Sequence, residues 1–165
     1  RLIEKMLALA DRKASAMTEE TYDPAFLDSI VDFIKTYADR THHGKEEDIL
    51  FRALGKKKLT ETDARIMDEL TDEHRQARMK VAEIVECDTR YKAGDRKVTG
   101  TIQELISWLA SFYPVHIKKE DDIFFPETEK YFDKKELDEM LDQFWYFDRQ
   151  MIHEKYKNVF DSLKT

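Results

Sequence analysis

The sequence predicts an all-α protein: an up-down four-helix bundle with an additional C-terminal helix. Three observations carry that reading. Apolar residues recur at three- and four-residue spacing along most of the chain. Only 4 Gly and 3 Pro punctuate its 165 residues, fewer than the turns of an all-β fold require. Charged residues make up 38% and hydrophobic residues 41%, a balance that suits helices with one face in water and one in a core.

The first helix is expected over residues 1–17, with Ile3, Met6, Leu7, Ala10, Ala14 and Met17 on one face. Asp23 and Pro24 open the second as cap and first-turn proline. Leu27, Ile30, Val31, Ile34 and Ala38 carry it on to residue 54, where Gly55 stops it. Thr60 with Asp63 resembles a capping box and starts a third helix that reaches residue 93, ahead of Gly94. The fourth covers residues 98–122. Pro114 lies inside it, removes one backbone bond and is expected to bend it. Asp133 and Glu136 form another capping pattern and open a fifth helix to residue 164. No linker is long enough to divide residues 1–165 into two domains, so four long helices share one core with the fifth packed alongside. The chain starts at Arg1 within a helical pattern. A short N-terminal segment is therefore expected to precede it, together with any targeting signal.

Composition narrows the function classes. The net charge is -7 and no basic stripe tracks phosphates, which argues against nucleic acid as a partner. No apolar run approaches the roughly 20 residues of a membrane helix. Cys87 is the only cysteine, so an internal disulfide and a thiolate cluster are excluded; a cytoplasmic location is expected.

The histidines fall on apolar stripes. On the fourth helix, Ile102, Leu105, Ile106, Leu109, Phe112 and Tyr113 define a stripe that His116 and Glu120 enter and Ile123 and Phe124 continue. His74 lies within the third helix's stripe of Ile66, Met67, Leu70, Ala77, Val81 and Ile84. On the second helix, His42 and Glu46 share the side of Ile49, Leu50 and Ala53, whereas His43 and Glu47 are turned about 100° further round. Three helices thus aim a histidine at the core, and two add a carboxylate one turn later, so each pair can reach one point. Buried carboxylates need a cation or a dense hydrogen-bond set. Mixed imidazole and carboxylate ligation suits iron, manganese or zinc, and helical bundles with paired Glu and His are a framework for two irons. The spacing of His42, Glu46, Leu50 and Phe51 is repeated in His116, Glu120, Phe124 and Phe125. The expected metal ligands are therefore His42, Glu46, His74, His116 and Glu120. His43 and Glu47 are held in reserve, because they have the same four-residue spacing.

The segments from His42 to Phe51, Glu73-His74 and His116 to Asp121 resemble the hemerythrin-like HHE cation-binding family over nearly the whole chain. His153-Glu154-Lys155-Tyr156 is similar to a segment of some prokaryotic members. The resemblance implies a four-helix bundle holding two non-haem Fe ions, capped by histidines and bridged by a carboxylate from each of two helices or by an oxo or hydroxo group. Mn or Zn would be possible substitutes. Asp121 becomes a reserve ligand, because hemerythrin uses a carboxylate at that spacing. Family members carry a first-helix histidine that this chain lacks after Arg1; it is expected immediately before Arg1. Hemerythrin also has a second histidine one turn along its third helix, where Arg78 stands here. Coordination poorer in imidazole argues against a pure oxygen carrier. His153 could supply a replacement, although its place at the edge of the fifth helix's apolar face favours a surface role.

The resemblance offers oxygen carriage, O2 or redox sensing and iron-sulfur cluster repair. The favoured reading is a non-haem di-iron protein that binds a small diatomic ligand such as O2 or NO in an oxygen or redox response, with binding preferred over catalysis. The rivals are a di-iron enzyme acting on O2, NO or peroxide, and a metal-free helical interaction module. The oligomeric state is not legible.

Overall fold

The computed structural model describes the backbone of residues 2–162 and the side chains of residues 2–155. Among the described residues the chain is helical without a strand. Helix α1 spans Leu2–Ser15. Helix α2 covers residues 24–54 and changes pitch along its length: α-helical over Pro24–Phe33, π-helical over Ile34–His43 and Glu46–Phe51, and α-helical again over Arg52–Leu54. Helix α3 is Glu61–Lys92. After a short 3₁₀ turn at Arg96–Val98, helix α4 covers residues 99–129, and helix α5 is Lys134–Ser162.

The caps follow the sequence with one change. The Asp23 carboxylate accepts from the Phe26 N–H, and Pro24 stands at the first helical position, where its missing N–H costs nothing. Asp133 and Glu136 cap reciprocally, each carboxylate accepting from the other's N–H at 2.8–3.0 Å. The Thr60 hydroxyl accepts from the Asp63 N–H, but Asp63 does not reach back. The Thr60 N–H donates to the Tyr131 hydroxyl, and that hydroxyl donates to Asp63, so the two capping partners are bridged by a tyrosine from the turn after α4. Gly94 ends α3 at φ 106°, a left-handed conformation that glycine adopts without steric cost.

One expectation is corrected. Helix α4 does not end at residue 122: a π-helical turn over Glu120–Phe124 carries it into Phe125–Glu129, with Pro126 just past that turn. Pro114 lies inside the α-helical stretch Thr99–Lys119, as its position in the sequence predicts. The π-helical stretches of α2 and α4 were not legible from a 3.6-residue period.

The core has two parts. The larger unites the inner faces of α1 to α4, including Leu7, Leu27, Ile34, Ile84, Ile106 and Leu109. Gln103 donates to the carbonyls of Ala14 and Met17 and fastens the end of α1 to α4. Tyr22 stacks on Tyr91 and donates to Asp88 at 2.6 Å. The smaller part, Phe51, Leu54, Leu70 and Phe124, lies at the other end of the bundle. His43, Glu46, His74 and Glu120 stand between the two in chain order, His116 one residue before Ile117 of the larger part, and all five are buried.

Helix α5 lies against α2. Lys45 pairs with Asp148 and Lys57 with Glu136, and Arg40 meets Glu154. A Cβ on Gly44 would stand 2.9 Å from the Phe147 ring, so the missing side chain lets α5 approach α2 closely. No helix of the described residues is long and apolar enough to cross a membrane.

Leu109 has no exposed surface and sits in the larger core away from the polar centre. Leu109→Ala is expected to cost about 2–5 kcal/mol of folding free energy through lost burial and an unfilled cavity, measured by urea unfolding. A cost below about 0.5 kcal/mol would contradict this packing.

Candidate metal centre

Halfway along the bundle, α2, α3 and α4 bring four histidines and two glutamates together. His43, His74 and His116 form one group of potential ligands, and His42, Glu46 and Glu120 form a second. All five residues expected from the sequence are here, and His43 joins them. On an ideal α-helix His42 and His43 point about 100° apart. The π-helical stretch Ile34–His43, with its wider i→i+5 turns, allows both rings to face the centre. Their centroids are 5.9 Å apart. The position of Arg78 therefore does not leave the site poor in imidazole.

The two glutamates lie between the two groups. Glu46 places Oε1 3.5 Å from His42 Nε2 and Oε2 3.5 Å from His74 Nε2. Glu120 places Oε2 3.7 Å from His42 Nε2, and Oε1 3.0 Å from His116 Nε2 and 3.6 Å from His74 Nε2. Each carboxylate thus offers one oxygen to either group.

The Nδ1 atoms of the three fully buried histidines point outward to carboxylates: His43 to Asp39 at 3.3 Å, His74 to Glu47 at 2.7 Å and His116 to Glu73 at 2.8 Å. A carboxylate is an acceptor only, so Nδ1 carries the proton and donates it. Nε2 is then left with a lone pair aimed at the centre, the arrangement found in metal-binding histidines. Arg78 donates to Asp39 and Glu47 at 2.7 and 2.9 Å, and Lys119 donates to Glu73. This outer ring of acids and cations was missed in the sequence. Asp39, four residues before His43, was findable from spacing; Glu73 bonds a histidine of the next helix and was not.

The two glutamates inside the centre are pushed in opposite directions. Burial and the facing Glu120 carboxylate push the Glu46 carboxyl well up from its ordinary range. Glu120 is also penalised by burial, but His116, His42 and His74 hold it well down. Burial beside the other imidazoles lowers His43 to about 4, against the opposing bond to Asp39. For His74, burial is outweighed by Glu120 and Glu47, and its value is raised. The Nε2 atoms of His42, His43, His74 and His116 and all four oxygens of Glu46 and Glu120 are buried without a hydrogen-bond partner. Each such orphan costs about 1–3 kcal/mol, and two cations would satisfy them together. The residues fit a pair of metal ions.

His43 apart, the reserve residues lie elsewhere. Glu47 is half-buried and supports His74 from outside. Asp121 is half-buried and His153 is exposed on α5; neither belongs to either group. Tyr113 is fully buried beside His43, at a ring separation of 5.9 Å. His42 is the ligand candidate with the most solvent contact, its side chain 25% exposed. It borders two spaces, one of about 1000 Å³ between α1, α2 and α5 and one of about 510 Å³ between α2, α4 and α5.

A family model for the hemerythrin HHE cation binding domain matches residues 1–128, and again residues 68–157. The second match starts just before Glu73-His74 and takes in His116, Glu120 and His153, as an internal echo of the His-Glu pattern would allow. No curated protein and no solved structure matches the chain.

Glu47→Gln and Glu73→Gln each weaken the acceptor that aims one histidine. Each is expected to lower metal affinity about 10–100-fold with little change in helix content, read by competition with a chelator of known affinity. Unchanged affinity in both would show that the outer carboxylates do not organise the ligands.

Proposed function

The chain belongs to the hemerythrin HHE cation-binding family, and from that premise we propose that it holds two non-haem irons and binds a small ligand such as O2 or NO in an oxygen or redox response. The asymmetry of the site carries this reading. His43, His74 and His116 form a fully buried, imidazole-rich group, whereas the other group has His42 as its single imidazole beside Glu46 and Glu120. A ligand set short of donors leaves positions open to an exogenous molecule. The incomplete group is also the one that borders the spaces of about 1000 and 510 Å³.

When bound, a pair of irons would supply one-electron redox chemistry and vacant positions for a diatomic ligand. The protein's own residues would perform the other tasks. Glu46 and Glu120 would offer one oxygen to each ion and hold the pair together. Asp39, Glu47 and Glu73 would keep the Nδ1 protons in place and the imidazoles in orientation. Phe51 and Phe124, at a ring separation of 5.4 Å, close the lower end of the site against water. A ligand would approach past His42. The same open side and adjoining space favour a second reading, an enzyme acting on O2, NO or peroxide; sustained turnover of one of these by the reduced protein would select it.

The test is metal content followed by ligand response. About two irons per chain are expected, and NO is expected to change the absorption spectrum of the reduced, loaded protein. Replacing both Glu46 and Glu120 by Ala is expected to abolish stoichiometric metal; retention of metal by that variant would contradict the assignment.

Metal and stability are coupled. Iron that binds only the folded state stabilises it by about 2.7 kcal/mol at a hundredfold excess over Kd. The apolar stripes remain without it. Metal-free protein is expected to keep most of its helix but to melt at a lower temperature, with fastest hydrogen exchange in the middle of α2 and α4. Superimposable melts of metal-free and iron-loaded protein would rule out a folding-linked site.

A further inference from the structure

The space of about 510 Å³ between α2, the end of α4 and the first half of α5 is far larger than a diatomic ligand needs. It falls in the size range of sites for organic molecules, roughly 300–1000 Å³. Its walls are mainly apolar, formed by Leu50 of α2, Phe125 of α4, and Leu137 and Met140 of α5; His42 and Glu46 stand in the same lining, with Thr128 and Glu129 at its edge. Glu46 is 5% exposed, and its two oxygens and His42 Nε2 lack partners. The mainly apolar space thus reaches two of the candidate ligand residues, whose unpartnered atoms lie buried just behind it. On the side of His43 and Tyr113 the adjoining cavity is only about 120 Å³. The room lies where the ligand set is incomplete.

Resting on the di-iron reading above, we infer that this cavity is a binding site for an amphiphilic organic anion. Its carboxylate or phenolate oxygen meets the cation held by His42 and Glu46, and its apolar body lies along Leu50, Phe125, Leu137 and Met140. Oxygen anions suit the hard cations that carboxylate-rich sites hold. Lys45 in the lining is paired with Asp148, and Glu129 is acidic, so the attraction for the head comes from the bound cation. The apolar wall rewards each buried methylene through removal from water, so affinity should rise with chain length. A diatomic ligand and such an anion would compete for the same side of the centre.

The test titrates iron-loaded protein with acetate and with octanoate by calorimetry at equal ionic strength, after the metal content of the same sample has been measured. Octanoate is expected to bind at least about tenfold more tightly than acetate, from its buried methylenes. Leu137→Trp, and from the opposite wall Leu50→Trp, are expected to bring octanoate down to the acetate level with acetate affinity and metal content unchanged. Metal-free protein is expected to lose most of its affinity for both acids. Equal affinity for the two acids in the wild-type protein would overturn the inference. An octanoate preference that survives both variants, or that persists undiminished in metal-free protein, would overturn it equally. A wild-type protein without metal would overturn the di-iron reading first and the inference with it, and the initial metal measurement separates that case from the others.

Discussion

Two carboxylates, Glu46 and Glu120, face each other in the middle of a helical bundle, and none of their oxygens has a hydrogen-bond partner. Much of the structure is arranged around that cost. An isolated buried carboxylate is expensive and a facing pair more so, a cost that protonation or a bound cation relieves. Four Nε2 lone pairs point at the same space, and three of them are fixed there by carboxylates on the outer side of the rings. Those outer carboxylates are held by Arg78 and Lys119. The charges thus alternate outward from the centre: inner acids, imidazoles, outer acids, then cations at the surface. Apolar clusters above and below confine this polar layer.

The backbone gives way where the site needs it. The π-helical stretches fall on α2 and α4 around His42, His43, Glu46 and Glu120, and α3, which supplies His74 alone, is an uninterrupted α-helix. Wider turns are less favourable than α-helical ones and recur at functional sites. Here they let adjacent histidines serve both ligand groups. Gly44 falls between the two π-helical stretches of α2, and the Phe147 ring of α5 rests on it. A glycine inside a helix costs about 1 kcal/mol relative to alanine; at this position it lets the fifth helix cover the site.

The sequence made the fold legible because its helices carry strong periodicity and explicit stops. Asp23-Pro24, Gly55, Gly94 and the Asp133-Glu136 box all stand at real boundaries. His42, Glu46, His74, His116 and Glu120 were legible as a convergent set because each lies on an apolar stripe, and the structure brings them together. His43 was placed off the central face because a regular 3.6-residue period was assumed, and local pitch is a tertiary outcome that periodicity does not encode. The extension of α4 past residue 122 was hidden for the same reason. Glu73 and Glu47 serve histidines on neighbouring helices, so their roles exist only once the helices are packed.

Anomalous diffraction from crystals of the iron-loaded protein, recorded at the iron edge, tests the central claim most directly. The account predicts two peaks, both touching Glu46 and Glu120, one on the side of His43, His74 and His116 and the other beside His42. A single peak, or iron bound away from these two glutamates, would contradict it.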